Sequence, residues 1–554
     1  MTWLRLALVA LAPLPTATAQ LFVDGTANLP AGALNNKDTE QVDFADVDLD
    51  GDWDAALANG GDTGNSQNQL WINQGGAQGG VLGVFADATA AQLPVLSDAS
   101  RDIEFADIDG DGDEDLAIAN HSALTNQSNR LWVNLGLAQS GTLGFFADET
   151  AARYVGIGGP GSSVAPALLL PGGGFVDWSS DVDFADLDRD GDLDLVHSSY
   201  GSFFGGNVPT RLFLNDGEGF FEEWNPSGFQ LPATNIANGN PALWAEGLQQ
   251  ANTTDTTGAF ADIATVAIDV EASDLDGDLD IDLILGHRDG TARFFANRIA
   301  ETGVLVFRDY TALALPPGAV SGGFSYEQEL GDLDGDLDLD LYGLNWKTLI
   351  DAVYTNQGNG TFDVGQGLTG SNADEEEADF LDFDHDGDLD VYVANFSGAD
   401  IVYENTGAGP AFGLVKLTNA ESGLAFTTLT ARDADVADVD GDGDDDVLVA
   451  TGSGPKQNKL ALNTTGAPDV TAPSIGATSA VASGAASPAP QWVRAQVYDN
   501  APDYLTRYAD VALAVEVDGV PLPAFPMRWA GGQVFHGELP GNLVGTLATR
   551  VRAV

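Results

Sequence analysis

The chain has 554 residues, with 84 Asp or Glu against 21 Lys or Arg and a formal net charge of −63. That balance excludes nucleic acid and anionic membrane surfaces as partners, because both are bound through basic patches. The absence of cysteine excludes disulfides and thiol chemistry, whereas 44% hydrophobic content marks a globular chain whose acid calls for cations.

Residues 1–19 have the order of a secretory signal peptide: Arg5, the apolar run "LALVALAPL", and the small-residue site Ala17 to Ala19. The expected location is therefore secreted, extracellular or at the cell surface. Later apolar runs such as "APALLLP" (165–171) are too short to span a bilayer, so no transmembrane segment is expected.

Seven aspartate-rich stretches then follow in chain order. They are "DVDLDGDWD" (Asp46, Asp48, Asp50, Asp52, Asp54), "DIDGDGDED" (Asp107, Asp109, Asp111, Asp113, Asp115) and "DLDRDGDLD" (Asp186, Asp188, Asp190, Asp192, Asp194). Next come "DLDGDLDID" (Asp274, Asp276, Asp278, Asp280, Asp282) and "DLDGDLDLD" (Asp332, Asp334, Asp336, Asp338, Asp340). The last two are "DFDHDGDLD" (Asp382, Asp384, Asp386, Asp388, Asp390) and "DVDGDGDDD" (Asp438, Asp440, Asp442, Asp444, Asp446).

Each stretch lies in a longer unit. A run such as "VDFAD" precedes it, an apolar run such as "LAIAN" or "VYVAN" follows, then a run such as "NQLWINQG", then "FADAT" or "FRDYT". Short runs rich in aromatic and β-branched residues between Gly, Asn and Asp predict strands and turns. Four strands in each of seven units predict an all-β, seven-bladed β-propeller over residues 20–466. "LFVDGTANLP" (21–30) matches "VFADATAAQLP" (84–94), the end of a unit. The seventh unit stops after "NKLALNTTG" (458–466) without that piece, so the N-terminal strand is expected to complete the last blade and close the ring. Residues 151–176 and about 224–262 are insertions without the repeat pattern. After a linker at 467–472, residues 473–554 predict a small β-sandwich of the immunoglobulin or fibronectin kind, with about six strands and the chain ending inside the last.

Asp at positions 1, 3, 5 and 9, a backbone carbonyl at position 7 and Gly at position 6 suit a hard cation taking six to eight oxygens, which is Ca²⁺. Up to seven ions are expected. An EF-hand needs a bidentate Glu at position 12. Here that position is Leu57, Ile118, His197, Leu285, Gly343, Val393 and Val449, so the EF-hand reading fails. In the fourth and fifth loops, Leu279 and Leu337 stand at position 6 and the glycines at position 4, which predicts weaker sites. Solvated acidic turns that bind nothing are the alternative.

These units resemble FG-GAP/VCBS repeats, the calcium-binding repeats of bacterial secreted propellers and of the integrin alpha-subunit head, over about residues 20–466. The resemblance implies a calcium-stabilised propeller and leaves the function open among adhesins, lectin-like binders and polysaccharide lyases. Beyond calcium, the strand ends opposite the loops gather His121, Tyr200, His287, Arg288, Trp346 and Phe396, a candidate ligand face. His197 is expected to be structural, and His385 and His536 to be solvated. The leading expectation is a monomeric binding or adhesion scaffold for a glycan or an extracellular protein, with no catalytic residues. The alternative is a lyase-like carbohydrate-active enzyme using His121 or His287 with Tyr200 as acid and base.

Overall fold

The computed structural model describes residues 20–120, 129–155, 179–199, 210–224, 244–247, 260–261, 267–287, 292–316, 325–345, 349–407, 412–427 and 430–553, the last span without 455, 467–470, 480, 482–490, 501–509, 542 and 544. The signal-like residues 1–19 and most of both insertions lie outside the described residues.

The described residues form nine small sheets, almost wholly antiparallel. Seven follow the repeat. The first sheet orders Thr39–Ala45, Asp54–Asn59, Gln69–Asn73 and Phe85–Asp87 side by side, each hydrogen-bonded to the next. Each aspartate loop is the hairpin between the first two strands of its sheet. The second strands, such as Asp115–Asn120 and Asp390–Asn395, are buried along their whole length. They lie between neighbouring sheets on both faces, so they are continuous apolar runs rather than alternating ones.

The short fourth strand ends in a threonine with a defined role. The hydroxyls of Thr89, Thr150 and Thr311 accept the backbone N–H of Leu70, Leu131 and Phe294 on the adjacent strand. Each of these threonines also opens a single helical turn. Strand Phe22–Asp24 pairs antiparallel with Lys459–Asn463 of the seventh sheet, Phe22 opposite Asn463, and Thr26 accepts the N–H of Leu460 in the same way.

The apolar core lies between sheets. Val47, Ile72, Ile103 and Trp132 fill the space between the first and second sheets, and a cluster of this kind joins every consecutive pair. Val42, Phe44 and Trp71 of the first sheet also pack on Val439, Leu448 and Leu460 of the seventh. The first strands of successive sheets are tied by carboxylates: Asp43, Asp102, Asp181 and Asp269 accept the N–H of Phe105, Val182, Val270 and Gln328 on the next sheet at 2.6–2.9 Å. Asp433 of the seventh sheet accepts Val42 N–H of the first at 2.7 Å. Each first strand ends its sheet with one edge facing no partner strand, and these side chains satisfy donors that would otherwise be orphaned.

The last two sheets, built from residues 474–553, pack face to face around Val493, Ala495, Leu513, Val515 and Phe535.

Candidate metal centre

Six of the seven loops hold position 1 in the same way, and the third differs because Asp186 is held by Arg494 and His536. In the first, both oxygens of Asp46 accept backbone N–H groups, Oδ1 from Asp50 and Oδ2 from Gly51, each at 2.9 Å. Asp54 Oδ1 accepts the N–H of Asn73 at 2.8 Å. These bonds hold position 1 and position 9 in place, and in the third to seventh loops the second oxygen of position 9 also accepts the position-2 N–H. Asp48 Oδ1, both oxygens of Asp52 and Asp54 Oδ2 are buried without a hydrogen-bond partner. Oxygens of Asp46, Asp48 and Asp50 lie within 4.8 Å of one another, as do those of Asp107, Asp109 and Asp111, of Asp186, Asp188 and Asp194, and of Asp274, Asp276 and Asp282. Unpartnered oxygens recur as Asp109 Oδ1 and Asp115 Oδ2, Asp188 and Asp192 Oδ1, Asp276 and Asp280 Oδ1, Asp334 Oδ1, Asp388 Oδ1, and Asp440 and Asp444 Oδ1.

Burial and the surrounding carboxylates push the position-9 residues upward: Asp54, Asp390 and Asp446 to about 9, Asp340 to about 8, and Asp115, Asp194 and Asp282 well above the usual carboxylate range. Buried carboxylate oxygens without donors are costly. An oxygen-only donor set suits a hard cation and not zinc.

Backbone geometry places two left-handed residues in each loop, at positions 4 and 6. Leu279 and Leu337 hold position 6 at φ +70°, and Gly51, Gly112, Gly191, Gly387 and Gly443 hold it at +91° to +103°. Position 4 is also left-handed, with Leu49, Arg189 and His385 there in the first, third and sixth loops. Every loop except the second and seventh thus carries one non-glycine residue at positive φ. Backbone strain does not single out the fourth and fifth loops, contrary to the expectation from position 6 alone.

An asparagine completes each centre and links it to the next. Asn73, Asn134, Asn215, Asn297, Asn356, Asn405 and Asn463 each give their backbone N–H to the position-9 Asp of their own loop. Their side-chain amides donate to the position-2 carbonyl of the preceding loop, from Asn134 to Val47 (3.0 Å) through Asn463 to Phe383 (3.0 Å). Asn73 reaches Val439 of the seventh loop at 2.9 Å. This residue was missed in the sequence, although an Asn closes the third strand of every unit.

The C-terminal sandwich covers part of the loop side. Arg494 donates to Asp186 Oδ2 and, at 2.8 Å, to the Leu279 carbonyl, while His536 Nδ1 is 3.2 Å from Asp186 Oδ2. Gln496 reaches Asp274 Oδ2 at 2.8 Å and Asn500 reaches Asp382 Oδ2 at 2.7 Å. The strand Gln491–Tyr498 and the residues after it therefore contact position 1 of the third, fourth and sixth loops. Burial alone would raise Asp186, but Arg494 and His536 hold it below the usual range. Asp186 Oδ1 stays unpartnered, so Arg494 compensates the charge without taking that oxygen.

Of the candidate ligand face, His287 and Phe396 are described; His121, Tyr200, Arg288 and Trp346 lie outside the described residues. His287 is buried, with Nδ1 3.2 Å from the Leu285 carbonyl, and burial beside Arg293 lowers it to about 3. Phe396 is half-buried beneath the Arg432 guanidinium, 4.8 Å from its ring centre. His197 is buried against Asn129 and Tyr154, a structural placement. His536 and His385 are not solvated. His536 is buried on Asp186, and the His385 side chain is covered by the seventh loop, with Nδ1 3.7 Å from Asp444.

Residues 332–393 and 382–449, which contain the last three loops, match the FG-GAP-like repeat family. No curated protein matches the chain. Among solved structures, Chaetomium thermophilum Raptor is 10% identical with a TM-score of 0.39, over 81% of this chain and 29% of that one, so this chain spans under a third of that protein. BBS1N in complex with ARL6DN is 11% identical, TM-score 0.42, over 81% and 99% of the two chains. Rhamnogalacturonan lyase YesW is 12% identical, TM-score 0.34, over 77% and 72%.

Proposed function

We propose that the seven sheets are the blades of a closed β-propeller holding one calcium ion per loop, and that this propeller is a secreted or surface-attached binding scaffold for a glycan or an extracellular protein. One observation carries the reading: buried carboxylate oxygens without hydrogen-bond partners recur in all seven loops, at position 3 in every loop but the sixth and at position 7, Asp388, in the sixth. The asparagine bonds that join each loop to the one before, including Asn73 to Val439, support closure of the ring. The Asp residues at positions 1, 3, 5 and 9 would hold the ion, which supplies the positive charge these carboxylates otherwise lack. The signal-like residues 1–19 favour export.

A scaffold fits better than the lyase reading. His287, one of the two histidines that reading uses, is buried on its own backbone and held neutral, which suits neither an acid nor a base open to substrate.

A glycan array probed with calcium and with chelator tests the reading together with metal content by mass spectrometry. Calcium-dependent retention of a glycan class, lost on replacing Tyr200 and Trp346 by Ala with calcium content unchanged, is the expected result. Binding that survives both substitutions would transfer the role to the insertions at 151–176 and 224–262. Turnover of a uronate polymer would replace the scaffold with an enzyme.

A further inference from the structure

The first strands of the seven sheets carry a second acidic pattern that the aspartate loops do not use. Three residues before each loop stands a carboxylate in every repeat, as in Asp43, Glu329, Asp379 and Asp435. Five residues before the loop stands another in all but the first repeat, where Gln41 takes the place. Residues two apart on a strand face the same side, and both rows line one cavity running along the seven first strands. Side chains of different sheets sense each other: Asp269 of the fourth sheet is pushed well above the carboxylate range by burial first, and by Asp183 and Asp102 of the third and second. Asp433 responds likewise, to burial and then to Asp435 and Asp102.

The cavity has unequal ends. Next to the loops, the hairpin Trp529–Gly532 of the C-terminal sandwich seats against Ala185 and Ser273, and the Ala530 carbonyl accepts Asp186 N–H at 2.9 Å. Gly531 and Gly532, at φ +112° and +46°, allow that approach, since a Cβ on either would meet Ala185 or Ser273 within 2.5 Å. At the other end, Glu40 pairs with Arg101 and Arg432. Ile268 and Tyr326, six residues before their loops like Arg101 and Arg432, add apolar and aromatic wall at that end, and Val270 and Trp529 add it nearer the loops. Ser180 points to a ligand by itself: it lines the cavity, is 5% exposed, and its hydroxyl has no hydrogen-bond partner.

We propose that this channel binds a linear organic polycation of the polyamine class. The carboxylates rise from separate strands and several are pinned to the wall by the N–H of the neighbouring sheet, as Asp102 is by Val182 and Asp181 by Val270. They are spread around a perimeter, unlike the loop carboxylates, which converge from one hairpin on a point as a metal ion requires. The two rows are two residues apart, roughly 7 Å along a strand. Ammonium groups joined by three or four methylenes span a comparable length, and the methylenes suit the apolar wall. Trp529 lines the end nearest the loops, where an aromatic ring suits a terminal ammonium.

The test is calorimetric titration of the full chain with spermine at low ionic strength, with calcium saturating so that the loops are occupied. One site per chain is expected, with affinity falling as salt rises. The triple substitution Glu329→Gln, Asp379→Asn, Asp435→Asn should weaken it at least about tenfold, a deficit of ~1.4 kcal/mol. Ser180→Arg is the second variant. It places a cation at the position that Arg101 and Arg432 hold in their own strands, six residues before the loop, and should weaken spermine binding to a similar degree. Absence of spermine binding would overturn the proposal, as would binding that calcium abolishes or that both variants leave unchanged. Loss of calcium content with spermine binding retained would fail the proposed function and not this inference.

Discussion

Leu49, Arg189, Leu279, Leu337 and His385 hold left-handed backbone conformations that cost an L-residue roughly 1–2 kcal/mol each. Leu49 is 45% exposed, so its side chain returns little packing. Leu49→Gly should stabilise the calcium-loaded protein by about 0.5–1 kcal/mol, after the greater freedom of Gly in the unfolded chain is set against the relief. Leu279→Gly should not, because Leu279 is buried beneath the sandwich. Denaturant midpoints of the two variants, measured in excess calcium, check the contrast. Asn405 bonds the carbonyls of Leu333 and Leu389 at 3.0 and 3.1 Å, and Asn405→Ala strands both in a buried site. A loss of about 1–3 kcal/mol is expected by the same measurement. The aspartate spacing made the loops legible from sequence because every carboxylate of a loop lies within nine consecutive residues. The asparagine amide was not legible, because its acceptor belongs to the preceding repeat and only the assembled sheets bring the two together.

At the scale of elements, the match between 21–30 and 84–94 pointed to an edge strand on the sheet of 459–463, and Phe22–Asp24 lies there. Deleting residues 20–30 uncovers the edge of Lys459–Asn463 and removes Phe22 from its contacts with Tyr392 and Leu424. The deleted protein should melt lower and self-associate through that edge, measured by calorimetry and light scattering; unchanged melting and a monomer would remove the strand's assigned role. The docking of the sandwich on the loops left little trace in sequence. "VRAQVYDN" alternates apolar and polar as a half-exposed strand does, and its polar face is buried because it meets loop carboxylates. In the calcium-free protein, Arg494→Ala leaves Asp186 buried beside His536 alone and should cost about 3–5 kcal/mol. Proteolysis of 474–553 should accelerate in that variant, with the seven sheets remaining intact.

Across the whole molecule, the acidic side chains fall into two groups, those of the loops and those lining the cavity of the first strands, and the two proposals assign them different cations. Asp102 in the channel and Asp400, buried against the Tyr392 hydroxyl at 2.8 Å, are both raised from 3.8 to about 7, by burial in each case. The folded protein favours their neutral form, so it binds more protons than the unfolded chain between those values. This contribution is fully present below the unfolded value of 3.8 and is lost as pH rises through about 7. With calcium saturating, the melting temperature should fall between pH 5 and pH 8, and a rise over that window would contradict the assignment. In the loops, calcium at about ten times its dissociation constant stabilises each site by about 1.4 kcal/mol. Summed over the loops, this is comparable with the whole stability of an ordinary domain. The most direct measurement is calcium per chain by native mass spectrometry, paired with melting in chelator. One ion per loop and a large fall in melting temperature that sodium does not restore are predicted. Fewer than about five ions, or melting indifferent to chelator, would contradict the account.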